Sequence, residues 1–228
     1  MLVEPRFREH GGGSVVGRWR RCGVAVRVTE SDMHLPASLV FVDVQDVTLA
    51  LRDGRRAAEL LEPICALYDA VFSVPPFRWT DEESAHHRRS LIELIGDPTF
   101  GLATAGAAGG LVGFAYGVRL APTTGWWQGF EEPLRPELVA EHEGRTFALI
   151  DLAVDEGYRG QGLGRQLLDV LLGSRGEERA TLCVQPTATE TQAIYEHLGW
   201  QRVGRKRAGS GAVSPLWDVF VLPLQARP

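Results

Sequence analysis

Apolar positions change their spacing along this chain, and the changes outline a fold. Val47, Leu49 and Leu51 alternate with polar or small residues, so the ordered chain is expected to begin near Val42 with a strand. From Arg55 to Val71 the spacing becomes helical, with Leu60, Leu61, Ile64, Leu67 and Tyr68 on one face and Pro63 as a candidate kink. Pro75-Pro76 breaks the chain. Thr80 and Glu83 then form a capping-box pattern that opens a second helix, which runs to about Ile95 and stops at Gly96-Asp97-Pro98.

The middle of the chain reads as strands. Phe100–Thr104 and Leu111–Val118 are short and apolar, and the Gly/Ala-rich stretch from Gly106 to Gly110 joins them as a hairpin. A loop from about Ala121 to Gly144 carries Trp126, Trp127 and Phe130. Phe147–Val154 is a strongly apolar strand interrupted by Asp151. Gly162–Leu172 is a helix with Leu163, Leu167, Val170 and Leu171 inward. Ala180–Val184 reads as a strand, Thr189–Leu198 as a helix closed by Gly199, and strands near Arg202 and over Leu216–Leu222 finish the chain. The order β-α-α-β-β-β-α-β-α-β-β predicts an α/β (α+β) domain over residues 41–228, a mixed sheet covered by helices.

Residues 1–40 carry Gly11-Gly12-Gly13-Ser14 and the basic cluster Arg18-Trp19-Arg20-Arg21, and are expected to be a disordered tail. Met33 is an alternative initiator. The chain has 228 residues, a net charge of -5 and 44% hydrophobic residues. That is ordinary for a globular domain and gives no general attraction for nucleic acid or an anionic membrane. Lys206 is the only lysine, and the Arg-, Ala- and Gly-rich composition points to a GC-rich, bacterial genome. Cys22, Cys65 and Cys183 are too few and too scattered for a disulfide framework or a zinc site, which fits a cytoplasmic setting. No metal site is expected, and no apolar run reaches the roughly 20 residues that span a bilayer.

Chemistry concentrates between Ile150 and Arg165. A buried strand passes through a glycine-rich turn into a helix, so several backbone N–H groups and the positive end of the helix dipole converge where an anion can sit. Arg159 and Arg165 add mobile charge. The dinucleotide fingerprint fails because Arg165 stands at the third glycine, and the Walker pattern fails because Leu163 replaces its lysine. The acyl-CoA pattern R/Q-x-x-G-x-G/A is filled by Arg159, Gly162 and Gly164. With the strand before it and Tyr195…Gly199-Trp200 after it, the chain resembles the GNAT superfamily of acyl-CoA-dependent N-acyltransferases from about Val47 to Leu222.

That resemblance implies a mostly antiparallel sheet whose central parallel strands splay apart. It implies acetyl-CoA as co-substrate, held by Arg159, Gly160, Gln161, Gly162, Leu163, Gly164 and Arg165, with the pantetheine arm along Leu152, Ala153 and Val154. It implies a small-molecule amine as acceptor, and leaves room for a homodimer. An amine of pKa about 10.4 is almost wholly protonated at neutral pH, so acyl transfer calls for a base. Asp151, a carboxylate inside an apolar strand, is the candidate. Tyr195 stands where the family has a tyrosine that protonates the leaving thiolate, and the Leu152 N–H is a candidate for the carbonyl oxygen. Seven residues before Tyr195 the family often has Asn; here it is Ala188. Phe77, Trp79, Trp126 and Trp127, with Glu131, Glu132, Glu137, Glu141 and Glu143, would suit a cationic or amphipathic acceptor, the alternative being a solvated acidic loop whose tryptophans pack on the core. His86 and His87 read as an exposed polar face, and Cys183 as core. A longer acyl donor, a carrier-protein donor and a non-catalytic acyl-CoA sensor remain alternatives.

Overall fold

The computed structural model describes residues 47–75, 77–208 and 214–224, and the backbone of strands between residues 8 and 44. Three of those strands, β1 (Arg8–His10), β2 (Ser14–Arg18) and β3 (Ala25–Thr29), pair antiparallel in a small sheet of their own. Most of the expected N-terminal tail, with Met33, lies outside the described residues.

The main sheet has eight strands: β4 (Asp43–Val44), β5 (Val47–Arg52), β6 (Gly101–Ala107), β7 (Gly110–Arg119), β8 (Thr146–Val154), β9 (Arg179–Val184), β10 (Gln201–Arg207) and β11 (Leu216–Pro223). Their order is β10-β11-β9-β8-β7-β6-β5-β4, and every pair is antiparallel except β8–β9. The expected mixed, mostly antiparallel sheet is what forms.

Helices cover both faces. On one lies α5 (Leu163–Gly173), which buries Leu163, Leu167, Leu168 and Leu171 against Leu49, Ala115, Phe147 and Leu149. On the other lie α2 (Leu61–Phe72) and α3 (Asp81–Ile95), where Ile64, Tyr68, Phe72 and Leu91 pack on Phe114, Tyr116 and Ala153. Sandwiched between them, β7 buries seven residues in a row, the signature of a strand with no solvent face.

Two local outcomes differ from the sequence pattern. The single helix expected over Arg55–Val71 is two, α1 (Gly54–Glu59) and α2, joined at Leu60. Leu60 N–H turns back to Ala57 in a tight i→i−3 bond, and Pro63 has no N–H to offer Glu59, so the chain restarts rather than continues. The long loop contains a short helix, α4 (Pro136–Val139), and touches β10 through a bridge between Phe130 and Lys206. The capping box at Thr80 and Glu83 forms as expected, and α6 (Thr189–His197) ends before Gly199, whose φ is 91°.

One irregularity positions everything that follows. Along β7–β8, Tyr116 pairs with Asp151 but Gly117 pairs with Leu149, leaving Ile150 as an extra residue in β8. Such a bulge reverses the inward–outward phase of the strand beyond it. Phe147 and Leu149 face α5, and continued alternation would put Asp151 there too. Instead Ile150 faces the α2–α3 layer and Asp151 meets Tyr116 and His87 of that same layer. The strands approach closely at the bulge: a Cβ on Gly117 would stand 2.1 Å from the Ala148 carbonyl oxygen and 2.8 Å from the Phe147 ring. Gly117→Ala is therefore expected to destabilise the fold by about 2 kcal/mol or more, as overpacking against backbone does. Urea unfolding checks this; wild-type stability would refute the close approach.

Candidate functional site

Parallel pairing of β8 and β9 covers only Thr146–Ala148 against Arg179–Thr181. Beyond Ala148 the strands part, and a cavity of about 1750 Å³ opens between them. It runs from the turn before α5, past Leu152 and Asp151, to the aromatic side chains at the end of α2. Asp155 N–H donates to the Val112 carbonyl on β7 at 2.9 Å. By strand alternation the amides of Val154 and Leu152 face the opposite way, into the gap. Ala153 does not: its side chain packs under the α2–α3 layer and its backbone faces β7, so it does not line the cavity.

The turn before α5 forms the cavity's polar end. Gly160 and Gly162 have φ of 75° and 77°, the left-handed region that a side chain resists by about 1–2 kcal/mol. A Cβ on either would meet nothing within 4 Å, so conformation, not crowding within the protein, asks for glycine here. Among the described residues, the N–H groups of Gly160, Gln161, Gly162, Leu163, Gly164 and Arg165 meet no protein acceptor. Leu163, Gly164 and Arg165 form the first turn of α5, whose N–H groups have no partner within the helix and carry its positive dipole end. Arg159 donates to the Val154 carbonyl at 3.0 Å, tying the turn to β8. The Gln161 side chain is exposed and bonds back to Gly157, outside the cavity.

Asp151 lies midway along the cavity, with its side chain 17% exposed. The Tyr116 hydroxyl donates to its Oδ2. Burial pushes this carboxyl up to about 6, against the opposing pull of the Tyr116 hydrogen bond. His87 stands behind it, Nε2 3.8 Å from Oδ2, with its ring stacked on Tyr68 at 3.4 Å between centroids. Burial lowers His87 to about 4. The expected exposed polar face is thus half right: His86 is exposed, but His87 is buried on one stripe with Leu91. That i, i+4 spacing was the available signal. Tyr116, buried in β7 and pointed at Asp151 by the bulge, left none.

Tyr195 of α6 also lines the cavity, packed on Trp200 and Phe220. Burial, and then the charge of Asp151, hold its phenol well above the usual range, so it keeps its proton. Thr187 and Thr189 flank Ala188 at the cavity wall. At the opposite end Phe77 and Trp79 pack with Phe72, ring centroids 4.6–5.6 Å apart. Trp126 is a wall near β10, beneath Lys206. Trp127 is not part of it: its indole donates to Glu141, and Arg179 lies over its ring. Nor does any of Glu131, Glu132, Glu137, Glu141 and Glu143 line the cavity; Glu141 pairs with Arg179 and Glu143 with Arg119. Arginines on β7 and β9 thus hold Glu143 and Glu141 away from the opening. Cys183 lies in β9 with its thiol pushed up to about 11 by burial, and its strand borders the cavity.

A splayed sheet with a bare helix N-terminus at one end and a buried carboxylate at its middle defines an acyl-transfer fold. The Acetyltransferase (GNAT) family model matches residues 64–200, and the chain belongs to that family of acyltransferases. Solved structures share the fold. The ribosomal-protein-S18-alanine N-acetyltransferase from Escherichia coli superposes with a TM-score of 0.54 at 17% identity, over 80% of this chain and 96% of that one. Ard1 from Thermoplasma volcanium gives 0.53 at 15%, over 79% and 99%. An aminoglycoside 6'-acetyltransferase type Ii gives 0.53 at 18%, over 79% and 99%. A search of curated proteins finds no sequence match. No helix among the described residues is long and apolar enough to cross a membrane.

The carboxyl of Asp151 binds its proton more tightly in the folded protein, about 6 against 3.8. Its favourable contribution to stability is therefore present below about pH 4 and lost as pH rises through 6. Asp151→Asn is expected to stabilise the protein at pH 7.5 by on the order of 1–3 kcal/mol, the gain shrinking toward pH 4. Melting curves of the two proteins at both pH values check this; a less stable variant at pH 7.5 would contradict it.

Proposed function

We propose that this protein transfers an acetyl group from acetyl-CoA to the primary amine of a small molecule, by direct attack while both substrates are bound. The amides from Gly160 to Arg165, without an acceptor among the described residues and at the end of a cavity that continues along the free edge of β8, carry this reading. They offer a cradle for a diphosphate, and the amides of Leu152 and Val154 offer strand-like bonds to a pantetheine arm. Asp151, ionised above about pH 6, takes a proton from the entering ammonium. The nitrogen then attacks the thioester carbonyl, whose oxygen gathers charge beside the Leu152 N–H. As the C–S bond breaks, the Tyr195 hydroxyl gives its proton to the departing sulfur. The nitrogen sheds two protons in all: the thiol keeps the equivalent of one and solvent takes the other.

The acceptor end is aromatic; among the described residues the carboxylates lining the cavity are Asp151 and, on α6, Glu190, and the acids of the long loop are elsewhere. This supports an amine carried on an apolar or aromatic body over a polyamine. Although one structural relative is named as an aminoglycoside acetyltransferase, a polycation would find few counter-charges here.

Thiol release from acetyl-CoA across an amine panel tests the reading: arylalkylamines should turn over faster than polyamines and aminoglycosides, and no release with any amine would refute it. Gly162→Val should weaken acetyl-CoA binding at least tenfold by calorimetry, since a β-branched residue resists the left-handed turn. Asp151→Asn should lower kcat by about 10²-fold or more and leave that binding within about twofold. Equal loss of binding in both variants would overturn the division of roles.

A further inference from the structure

We propose that His87 is a positioning residue for Asp151: clamped by Tyr68, its ring presents Nε2 to the carboxylate and, with the Tyr116 hydroxyl, holds it oriented toward the acceptor amine. The inference rests on the reading of Asp151 as the base and extends it to a side chain behind the cavity wall.

The observation that carries it is an unsatisfied buried group. His87 is 5% exposed, and among the described residues neither Nδ1 nor Nε2 has a hydrogen-bond partner. A buried polar atom without a partner is destabilising, and such atoms are rare in folded proteins. Leucine at this position would satisfy the stripe with Leu91 and Leu94 without that penalty. The ring is also fixed: it lies parallel to Tyr68 with an interplanar angle of 7°, and Tyr116 adjoins it at 6.3 Å. Held this way, its Nε2 faces Asp151 Oδ2 at 3.8 Å, too long for a hydrogen bond and less than 1 Å from one. Catalytic hydrogen bonds are often long in an empty site and tighten on binding.

Charge decides what kind of contact this is. Where Asp151 is ionised, above about 6, His87 is neutral, so the pair is not a salt bridge. It is an N–H dipole facing a carboxylate. The groups around it fit that role. Tyr68 and Asp69 approach His87 from α2, and His86 and Arg88 flank it on α3. Tyr116 meets Asp151 from β7, and Tyr195 feels its charge from α6. Tyr116 is a donor to the carboxylate, and a His87 Nε2–H supplies the second. Two donors stabilise the ionised form and fix its orientation; with one, the carboxyl is more easily protonated and freer to turn.

The test is the pH profile of kcat/KM for the amine at saturating acetyl-CoA, in wild type, His87→Phe, His87→Gln and Asp151→Asn. Phenylalanine keeps the stack on Tyr68 and removes Nε2. Its acid limb should move up by about one pH unit, kcat should fall about tenfold at pH 7, and KM for acetyl-CoA should stay within twofold. Glutamine returns an N–H donor and should bring the limb most of the way back. If His87→Phe does not fold, His87→Met serves the same purpose. An acid limb that persists at the wild-type pH in Asp151→Asn, instead of giving way to the titration of the amine itself, overturns the base reading and this proposal with it. An acid limb lost in Asp151→Asn but unmoved in the apolar His87 variant overturns the role of His87 alone.

Discussion

The structure depends on one extra residue in β8. Ile150 has no partner across the ladder, and its insertion both bends the strand and changes the face on which Asp151 emerges. The bend coincides with the end of β8–β9 pairing, so the gap between the strands and the turned carboxylate share a cause. Gly117 makes the bulge possible, because the opposing backbone occupies the space of any Cβ. A regular β8 would keep pairing with β9, close the cavity, and place Asp151 under α5 among leucines.

From that distortion the site inherits its electrostatics. Burial between an apolar sheet and an aromatic layer pushes the Asp151 carboxyl up to about 6, and the groups around it are a phenol, an imidazole and a second phenol across the cavity. In the proposed reading, the protein gives up stability at neutral pH to keep this group available. At the other end of the cavity the opposite electrostatics prevail. The amides from Gly160 to Arg165 form a positive concavity, reinforced by the α5 dipole. One cavity thus joins the amides before α5 to a buried carboxylate, which in the proposed reading are the anion site and the proton acceptor.

Much of this was legible in the sequence because it rests on local chemistry. The acyl-CoA pattern at Arg159, Gly162 and Gly164 reports backbone conformation and helix entry, which neighbouring residues determine. The capping box at Thr80 and Glu83 and the leucine stripe of α5 are likewise local, and each lies where the pattern put it. What failed was long-range. Nothing in the residues near Ile150 announces a bulge, since that depends on Gly117 over thirty positions away. The acids and Trp127 of the long loop read as an acceptor wall. Glu143 and Glu141 pair instead with Arg119 and Arg179 on other strands, and Arg179 also lies over the Trp127 ring. His87 is obscured in the sequence for a different reason. Its polarity outweighed its spacing, although its position relative to Leu91 and Leu94 belongs to the buried face.

The most direct test of the anion cradle is to watch its amides. In ¹⁵N-labelled protein, the backbone resonances of Gly160, Gln161, Gly162, Leu163, Gly164 and Arg165 should shift on titration with acetyl-CoA. They should move far less with pantetheine, which has the arm but no diphosphate. If saturating acetyl-CoA leaves these six amides unmoved, the diphosphate does not sit at the head of α5 and the acyl-transfer geometry proposed here is wrong.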